Sequence, residues 1–297
     1  MSVRDSLELS VGIVQMAMSD SVEANDEAAD RGIREAAGRG ATLVCLPELY
    51  RSRYFCQEES DRAFALSEPV PGPTTEHLAE LARELGICIV ASLFERRAAG
   101  VYHNTSAVID QEGYRGKYRK MHIPDDPRYF EKFYLTPGDL CFRSLETTAG
   151  QLGVLVCWDQ WYPEAARLTA MQGAEILIYP TAIGWHPEEK DTNGAAQRDS
   201  WELVQRGHAV ANGCFVVAVN RVGFEPAPDG NGGIEFWGSS FLAGPDGQIL
   251  AQADTGKPGV FVTTLDLGAI ERARIAWPFL RDRRIDAYSD LTRRWSD

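Results

Sequence analysis

The chain of 297 residues contains no apolar run of membrane-spanning length, so we expect no transmembrane helix. Residues 1–6 have neither the long apolar stretch nor the small-residue cleavage site of a secretion signal. Basic residues are scarce relative to acidic ones, and the formal net charge is −13. Nucleic acids require basic surfaces for their phosphates. These absences disfavour a membrane partner, export and nucleic-acid binding, and they favour the cytoplasm.

The sequence also lacks the patterns of a metal or nucleotide site. The five histidines have no ligand spacing, and the six cysteines form no C-x-x-C pair. Cys45, Cys88 and Cys214 lie in apolar segments typical of strands, which favours reduced thiols over a disulfide framework. The glycines of residues 223–233 have no strand-to-helix context, so we interpret this segment as a surface loop. We expect no metal and no cofactor.

Strand and helix patterns alternate twice along the chain. The first half predicts strands at 9–16, 41–46, 87–94 and 105–109, with helices at 21–37 and 74–85. From residue 151 a similar order predicts a strand to 157, a helix at 163–172, a strand at 176–179, a helix at 199–211, and strands at 215–219, 238–242, 249–253 and 259–265. The repetition predicts a pseudo-twofold α/β fold in which two sheets face each other with helices outside. This is a four-layer α-β-β-α sandwich.

Cys157 is a candidate nucleophile because the apolar run 154–156 leads directly into the polar turn 158–160. At the rim of a sheet, its thiol would lie near backbone N–H groups and the positive end of a helix. Both lower the pKa of a thiol and increase the reactive thiolate. The alternative is that Cys157 is the last core residue of a buried strand, since free cysteine is among the most buried residue types.

A thiolate that attacks an amide-like carbonyl needs a proton acceptor and a cation or N–H group for the oxyanion. Glu48 ends an apolar strand, in what we interpret as the same topological location as Cys157 in the second half; the alternative is an exposed loop acid. Lys120 lies in the basic segment 117–124, where strand alternation places it on the face opposite Lys117. The residues alone leave the choice between the two lysines open.

Three segments together resemble the Glu, Lys and Cys signatures of the nitrilase, or carbon–nitrogen hydrolase, superfamily, in the same order and approximate spacing: 47–50 (PELY), 119–124 (RKMHIP) and 157–159 (CWD). The resemblance covers nearly the whole chain. It implies one carbon–nitrogen hydrolase domain over residues 1–297, with a C-terminal arm at about 268–297. Members of this superfamily are usually oligomeric, so the resemblance also implies an oligomer.

The resemblance also implies roles for individual residues. Glu48, Lys120 and Cys157 match the catalytic positions, and Lys120 rather than Lys117 matches the lysine motif. Glu131 resembles the additional glutamate that many members place beside the lysine. We expect Glu48 to take the thiol proton, and Lys120 and the backbone N–H of Trp158 to hold the oxyanion.

Longer blocks at 122–127, 137–139, 157–167, 179–185 and 238–245 resemble the superfamily members that hydrolyse N-carbamoylputrescine to putrescine, carbon dioxide and ammonia. The implied partner is a small cationic ureido substrate, and the enzyme would be a homo-oligomer. Acids near the motifs are candidates for binding the distal ammonium, and two aromatic residues are candidate pocket walls: Asp125, Asp126, Glu188 and Glu189, and Tyr54 and Trp158. Each acid has the alternative of a solvated loop position, and each aromatic residue that of core packing.

Other functions stay open at this point. A β-ureidopropionase-like enzyme would share the chemistry but would need Arg or Lys for a distal carboxylate. A simple ω-amidase, a true nitrilase, a zinc hydrolase and a non-catalytic binding module with the same fold are further alternatives.

Overall fold

Two mixed sheets of six strands each form the centre of the structure, a computed structural model that describes residues 8–295. Residues 1–6, which bear on the expectation about export, lie outside the described residues, as do the last two residues of the predicted arm. Within 8–295 no helix has the length and apolarity needed to cross a membrane.

The elements alternate along the chain much as the sequence pattern predicts. The strands are β1 Glu8–Gln15, β2 Leu43–Cys45, β3 Cys88–Ala98, β4 Val101–Asp110, β5 Gly113–Arg119, β6 Ser144–Thr147, β7 Gly150–Val154, β8 Ile176–Thr181, β9 Gly184–Trp185, β10 Phe215–Asn220, β11 Val222–Pro226, β12 Gly233–Trp237, β13 Phe241–Ala243, β14 Ile249–Gln252 and β15 Gly259–Asp266. The α-helices are α1 Val22–Gly38, α2 Pro73–Leu85, α3 Glu131–Tyr134, α4 Pro163–Met171, α5 Pro187–Asn212 and α6 Gly268–Ala276.

The two large sheets have matching topologies. The first has the order β15-β1-β2-β3-β4-β5, and the second has the order β6-β7-β8-β10-β13-β14 when read from its β6 edge. In each sheet the second, third and fourth strands are parallel to one another, and the outer pairings are antiparallel. The pseudo-twofold relation therefore pairs β1 with β7 and β2 with β8.

This correspondence corrects one sequence-based interpretation. Glu48 follows β2, whereas Cys157 follows β7, which is the counterpart of β1. The two residues do not occupy equivalent places in the two halves. Both nevertheless lie beyond the carboxyl ends of parallel strands, where α/β folds gather their reactive groups.

Helices cover the outer faces of the sheets. Ala29 and Ile33 of α1 and Leu78 and Leu81 of α2 pack on the first sheet in one apolar cluster. A second cluster lies between the two sheets and continues to α4 and to Trp201 of α5. The Ser21 side chain accepts a hydrogen bond from the Ala24 N–H at the start of α1, which satisfies one of the free donors of that helix end. The layers are helix, sheet, sheet and helix, as predicted.

A third, three-stranded sheet of order β11-β12-β9 was not predicted. Our interpretation of residues 223–233 as a surface loop is wrong for 223–226 and 233, which belong to the β11–β12 hairpin, and it holds for residues 227–232, which connect the two strands. Pro226 and the glycines weaken the strand pattern, and cross-strand pairing such as Val222 with Trp237 forms the strands instead. Helix α5 also begins twelve residues before the predicted position 199, because its first turns are polar and show no apolar periodicity.

Candidate active site

The turn at Cys157 is the structural feature that places a thiol at the end of the second sheet. Cys157 begins a short 3-10 helix over Cys157–Trp161 and has a positive φ of 43°. Leu49, directly after Glu48, likewise has a φ of 48°. Positive φ is unfavourable for residues other than glycine and persists only where surrounding contacts impose it. Both candidate residues thus lie at backbone turns that the fold constrains.

Asp159 connects the cysteine turn to the strand that leads to Lys120. Its Oδ2 accepts hydrogen bonds from the Val156 N–H at 3.0 Å and from the Tyr118 hydroxyl at 2.9 Å. Its Oδ1 accepts from the His122 N–H at 3.0 Å. One buried carboxylate therefore holds the residue before Cys157 and the residues two positions on either side of Lys120.

Lys120 lies fully buried between two carboxylates. Its Nζ donates to Glu48 Oε1 at 2.9 Å and to Glu131 Oε1 and Oε2 at 2.8 and 2.6 Å. Lys117 points elsewhere and pairs with Glu95 at 2.5 Å. The structure therefore brings together Lys120, and not Lys117, with Glu48 and Glu131.

The two oxygens of the Glu48 carboxylate have different surroundings. Oε1 accepts from Lys120 and also from Asn104 Nδ2 at 2.6 Å. The orientation of Asn104 is fixed by the Ser92 hydroxyl, which donates to Asn104 Oδ1 at 2.9 Å. Oε2 is buried and has no hydrogen-bond partner among the described residues. An unpaired buried carboxylate oxygen is unfavourable, and it is available to accept a proton.

The pKa of Cys157 corrects our expectation of a thiol ionised by its position. Burial raises the pKa of Cys157 well above its ordinary value, and the negative charge of Glu48 raises it further, while Lys120 acts in the opposite direction. Desolvation is the largest cause of this shift, because Cys157 is only 5% exposed. The resting sulfur is a thiol, so its reaction requires a proton acceptor.

The pKa values of Lys120 and Glu131 are also strongly shifted. Burial alone would lower the pKa of Lys120, but the charges of Glu131 and Glu48 outweigh it and raise the pKa well above its ordinary value. Burial raises the pKa of Glu131 to about 7, although Lys120 and a hydrogen bond from the Tyr54 hydroxyl act to lower it. Lys120 therefore holds its proton more strongly than an ordinary lysine, and Glu131 accepts a proton more readily than an ordinary glutamate.

Cys157 opens onto a cavity of about 950 Å³. Trp158 lines the same cavity, as do Asp126, Glu188 and Glu189 among the predicted acids. The other lining residues come mainly from the loop after β5, from residues 182–186 in and around β9, and from the first four turns of α5: Pro124, Pro127, Arg128, Tyr129, Trp161, Ala182, Ile183, Gly184, His186, Asn193, Ala196, Gln197, Ser200 and Trp237. The candidate cysteine thus faces a concave site with three acids in its wall.

Two predicted binding residues lie outside this cavity wall. Tyr54 is buried behind it, where its hydroxyl donates to Glu131 Oε1 at 2.6 Å. Asp125 is exposed and is absent from the lining, although it neighbours Asp126. Within 8–295 no group of three or more His, Cys, Asp or Glu side chains is placed to hold a metal ion.

Sequence reasoning missed several residues that support the site. Asn104 and Asp159 are buried polar residues in or beside predicted strands, and such positions are a usable signal because buried polar groups need partners. Arg221 and Glu225 lie in or beside the segment that was interpreted as a loop, so no pattern indicated that they are buried.

Comparisons with known proteins agree with this geometry. Residues 10–275 match the family model described as carbon-nitrogen hydrolase. An Arabidopsis thaliana protein named N-carbamoylputrescine amidase is 44% identical over 288 residues, covering 96% of this chain and 95% of the relative. A Francisella tularensis protein named citrullinase is 37% identical, with coverage of 97% and 99%.

The fold has a close counterpart among solved structures. The crystal structure of a carbon-nitrogen hydrolase from Helicobacter pylori superposes with a TM-score of 0.95 at 45% identity, covering 98% of this chain and 100% of that one. The agreement extends over the whole sandwich.

Proposed function

The chain belongs to the carbon–nitrogen hydrolase family of the nitrilase superfamily and is an amidohydrolase, and we propose that it hydrolyses N-carbamoylputrescine through a covalent intermediate on Cys157. The observation that supports this most is the joint burial of Glu48, Lys120 and Glu131, whose charges all act on the Cys157 thiol, while that thiol opens onto an acidic cavity. A thiol, a base and a fixed cation are the groups that thiol-dependent amide hydrolysis needs.

In the first step, the Cys157 sulfur attacks the ureido carbonyl carbon, and Glu48 takes the thiol proton. Oε2 of Glu48 is the accepting oxygen, because Oε1 already accepts from Lys120 and Asn104. The raised pKa of the thiol makes this transfer necessary, since too little thiolate exists without it. Thiol deprotonation and attack are therefore coupled through Glu48.

The developing oxyanion is held by the Lys120 ammonium and the backbone N–H of Trp158. Two of the three Lys120 contacts go to the same carboxylate, that of Glu131. One of them can be replaced by the oxyanion without leaving either glutamate unpaired. Trp158 follows Cys157 at the start of the 3-10 helix, where the first N–H groups have no partner within the helix.

The intermediate then collapses, the bond from carbon to one nitrogen breaks, and Glu48 returns its proton to that nitrogen. A water molecule deprotonated by Glu48 attacks the thiocarbamate carbon, the carbon–sulfur bond breaks, and the sulfur regains its proton. The released carbamic acid decomposes, so that one water and one substrate yield putrescine, carbon dioxide and ammonia. Glu131 keeps Lys120 charged and oriented during both half-reactions.

The distal ammonium of the substrate binds to the acids of the cavity wall. Asp126, Glu188 and Glu189 all line the cavity that contains Cys157. Glu188 and Glu189 belong to the first turn of α5, where Gln197 also donates to Glu189 Oε2 at 3.3 Å. Three carboxylates in one wall favour a cationic substrate over an anionic one.

Citrulline is the second candidate substrate, because it carries the same ureido group with both an ammonium and a carboxylate. Arg128 lines the cavity and is the residue that could bind such a carboxylate. Its guanidinium, however, donates to the Asn231 carbonyl and lies 3.9 Å from Asp229, so it is already partly engaged. The acid-rich wall therefore ranks N-carbamoylputrescine first.

The deciding experiment measures ammonia release from N-carbamoylputrescine, citrulline, N-carbamoyl-β-alanine and a simple nitrile under identical conditions. We expect the highest kcat/KM for N-carbamoylputrescine. A higher kcat/KM for citrulline would reassign the substrate, and activity on the nitrile alone would refute ureido hydrolysis.

We also propose that the protein is a homo-oligomer, with the C-terminal part at the contact. Leu203, Ile275 and Trp277 are 68%, 68% and 69% exposed, and Trp277 stacks on Phe279 at a ring distance of 5.9 Å. Exposed apolar clusters of this kind are typical of protein contacts. Light scattering should show an oligomer for the unaltered protein and a smaller species for Trp277→Asp; an unaltered protein that is monomeric would exclude this proposal.

A further inference from the structure

A buried ion pair on the third sheet lies directly behind the candidate catalytic residues. Arg221 directly precedes β11, and its Nη1 donates to Glu225 Oε1 at 2.8 Å. The Arg221 side chain is fully buried and that of Glu225 is 2% exposed. Neither residue lines the cavity that contains Cys157. The pair therefore has no direct access to a substrate.

Arg221 holds the turn that carries Glu48. Its Nη2 donates to the carbonyl oxygens of Glu48 and Leu49 at 2.7 and 3.1 Å, and its Nη1 donates to the Ser52 carbonyl at 3.2 Å. Leu49 has the unfavourable φ of 48°, so the turn needs outside contacts to persist. A planar guanidinium binds these carbonyls through donors in a fixed fork, whereas an ammonium offers rotatable donors from a single point on a flexible stem.

Glu225 holds the other side of the lysine site through Tyr54. Its Oε2 accepts from the Tyr54 N–H at 2.6 Å, and the Tyr54 hydroxyl donates to Glu131 Oε1 at 2.6 Å. The Arg221 guanidinium also lies over the Tyr54 ring, 5.7 Å from its centre. The same ion pair is therefore one residue away from Glu131 and in direct contact with the backbone of Glu48.

We propose that the Arg221–Glu225 pair is a positioning device that fixes both carboxylates contacting Lys120, and thereby sets the rate of the chemical step. Stability alone does not explain such a pair, because buried ion pairs often contribute no more than apolar residues of the same size. The specific contribution of this pair is the geometry it imposes on Glu48 and Tyr54. The inference rests on the proposed role of Glu48, Lys120 and Glu131.

The test compares Arg221→Lys, Glu225→Gln and the double variant Arg221→Met/Glu225→Gln with the unaltered enzyme. The double variant leaves no single buried charge, so it carries the test if a single variant does not fold. Glu95→Gln is the matched control: Glu95 is also 2% exposed and paired with a buried arginine, Arg119, but its side chain does not contact the Glu48, Lys120 or Glu131 side chains. Readouts are kcat, KM, melting temperature and the rate of Cys157 alkylation by iodoacetamide.

We expect kcat and the alkylation rate to fall by about 10- to 100-fold in the Arg221 and Glu225 variants, since a misplacement near 1 Å can cost about 100-fold. KM should change by less than about threefold, because the pair does not touch the cavity. The Glu95→Gln control should have a lower melting temperature than the unaltered enzyme and the same kcat.

Two results would overturn the inference: kcat preserved in the folded double variant, or a loss in the Glu95 control equal to that of the Arg221 and Glu225 variants. Failure of the proposed function is distinguishable from both. If the proposed function is wrong, the unaltered protein itself would release no ammonia from N-carbamoylputrescine, or its activity would survive the replacement of Cys157.

Discussion

Replacing Glu48 by glutamine tests the proton transfer with little change of shape. The glutamine oxygen can still accept from Lys120 and Asn104, as Glu48 Oε1 does at 2.9 and 2.6 Å. An amide NH₂ group then occupies the place of Oε2, the oxygen that has no hydrogen-bond partner within residues 8–295. Lys120 keeps its two contacts with Glu131. The substitution therefore removes the base and preserves most of the geometry.

The expected loss of kcat is the loss of general base catalysis on a thiol that is mostly protonated at neutral pH. A thiol with an ordinary pKa of about 8.5 is roughly 10% ionised at pH 7.5. Burial, the largest cause of the raised pKa of Cys157, remains in the variant, although the contribution of the Glu48 charge is lost. General base catalysis typically contributes about 10²- to 10⁴-fold. We expect kcat to fall by that factor in Glu48→Gln.

The assay follows ammonia release from N-carbamoylputrescine, with circular dichroism to verify folding. KM should stay within about threefold, because the substitution preserves the shape of the site and the contacts of Oε1 with Lys120 and Asn104. Glu95→Gln, which neutralises a buried carboxylate outside the site, should keep its kcat. A folded Glu48→Gln variant with kcat within threefold of the unaltered enzyme would refute the assignment of Glu48 as the base.

Four other perturbations test the same geometry. Cys157→Ala should abolish turnover and keep the melting temperature within a few degrees, which activity and thermal unfolding together measure. Because burial raises the pKa of Glu131 to about 7 and the carboxylate form pairs with Lys120, kcat/KM should decline as the pH falls through about 7. Tyr54→Phe removes a hydrogen bond that lowers this pKa, so the decline should begin at higher pH; an unchanged profile would count against Glu131. Glu189→Gln should raise KM about 3- to 10-fold, the loss of one ion-pair contact worth about 1 kcal/mol, whereas exposed Asp125→Asn should not.

The sandwich could be predicted from the sequence because its strands and helices carry strong apolar patterns. Leu43–Cys45 and Ile176–Thr181 are buried apolar strands, and α1 and α2 have helical apolar spacing with defined ends. The β11–β12 hairpin was not predictable in this way. Its strands contain glycine, proline and a buried charged residue, and they form through pairing with each other and with β9.

In the candidate site, too, the local sequence indicates some features, whereas others depend on tertiary packing. Glu48 and Cys157 each follow an apolar strand, so their local sequence indicates a place at the end of a sheet. The raised pKa of Cys157 depends on burial by distant segments and on a carboxylate more than a hundred positions away in the chain, which no local pattern contains. The positions of Tyr54 behind the cavity and of Asp126 in its wall likewise depend on how the loops pack in three dimensions.

The most direct test of the account is the mass of the protein during turnover. Enzyme mixed with N-carbamoylputrescine and quenched in acid should carry a carbamoyl-type adduct, which peptide mapping locates on Cys157 and which disappears as the substrate is exhausted. The mass of the adduct identifies the nitrogen that leaves first. Steady ammonia release without an adduct on Cys157, together with an active Cys157→Ala variant, would contradict the central claim.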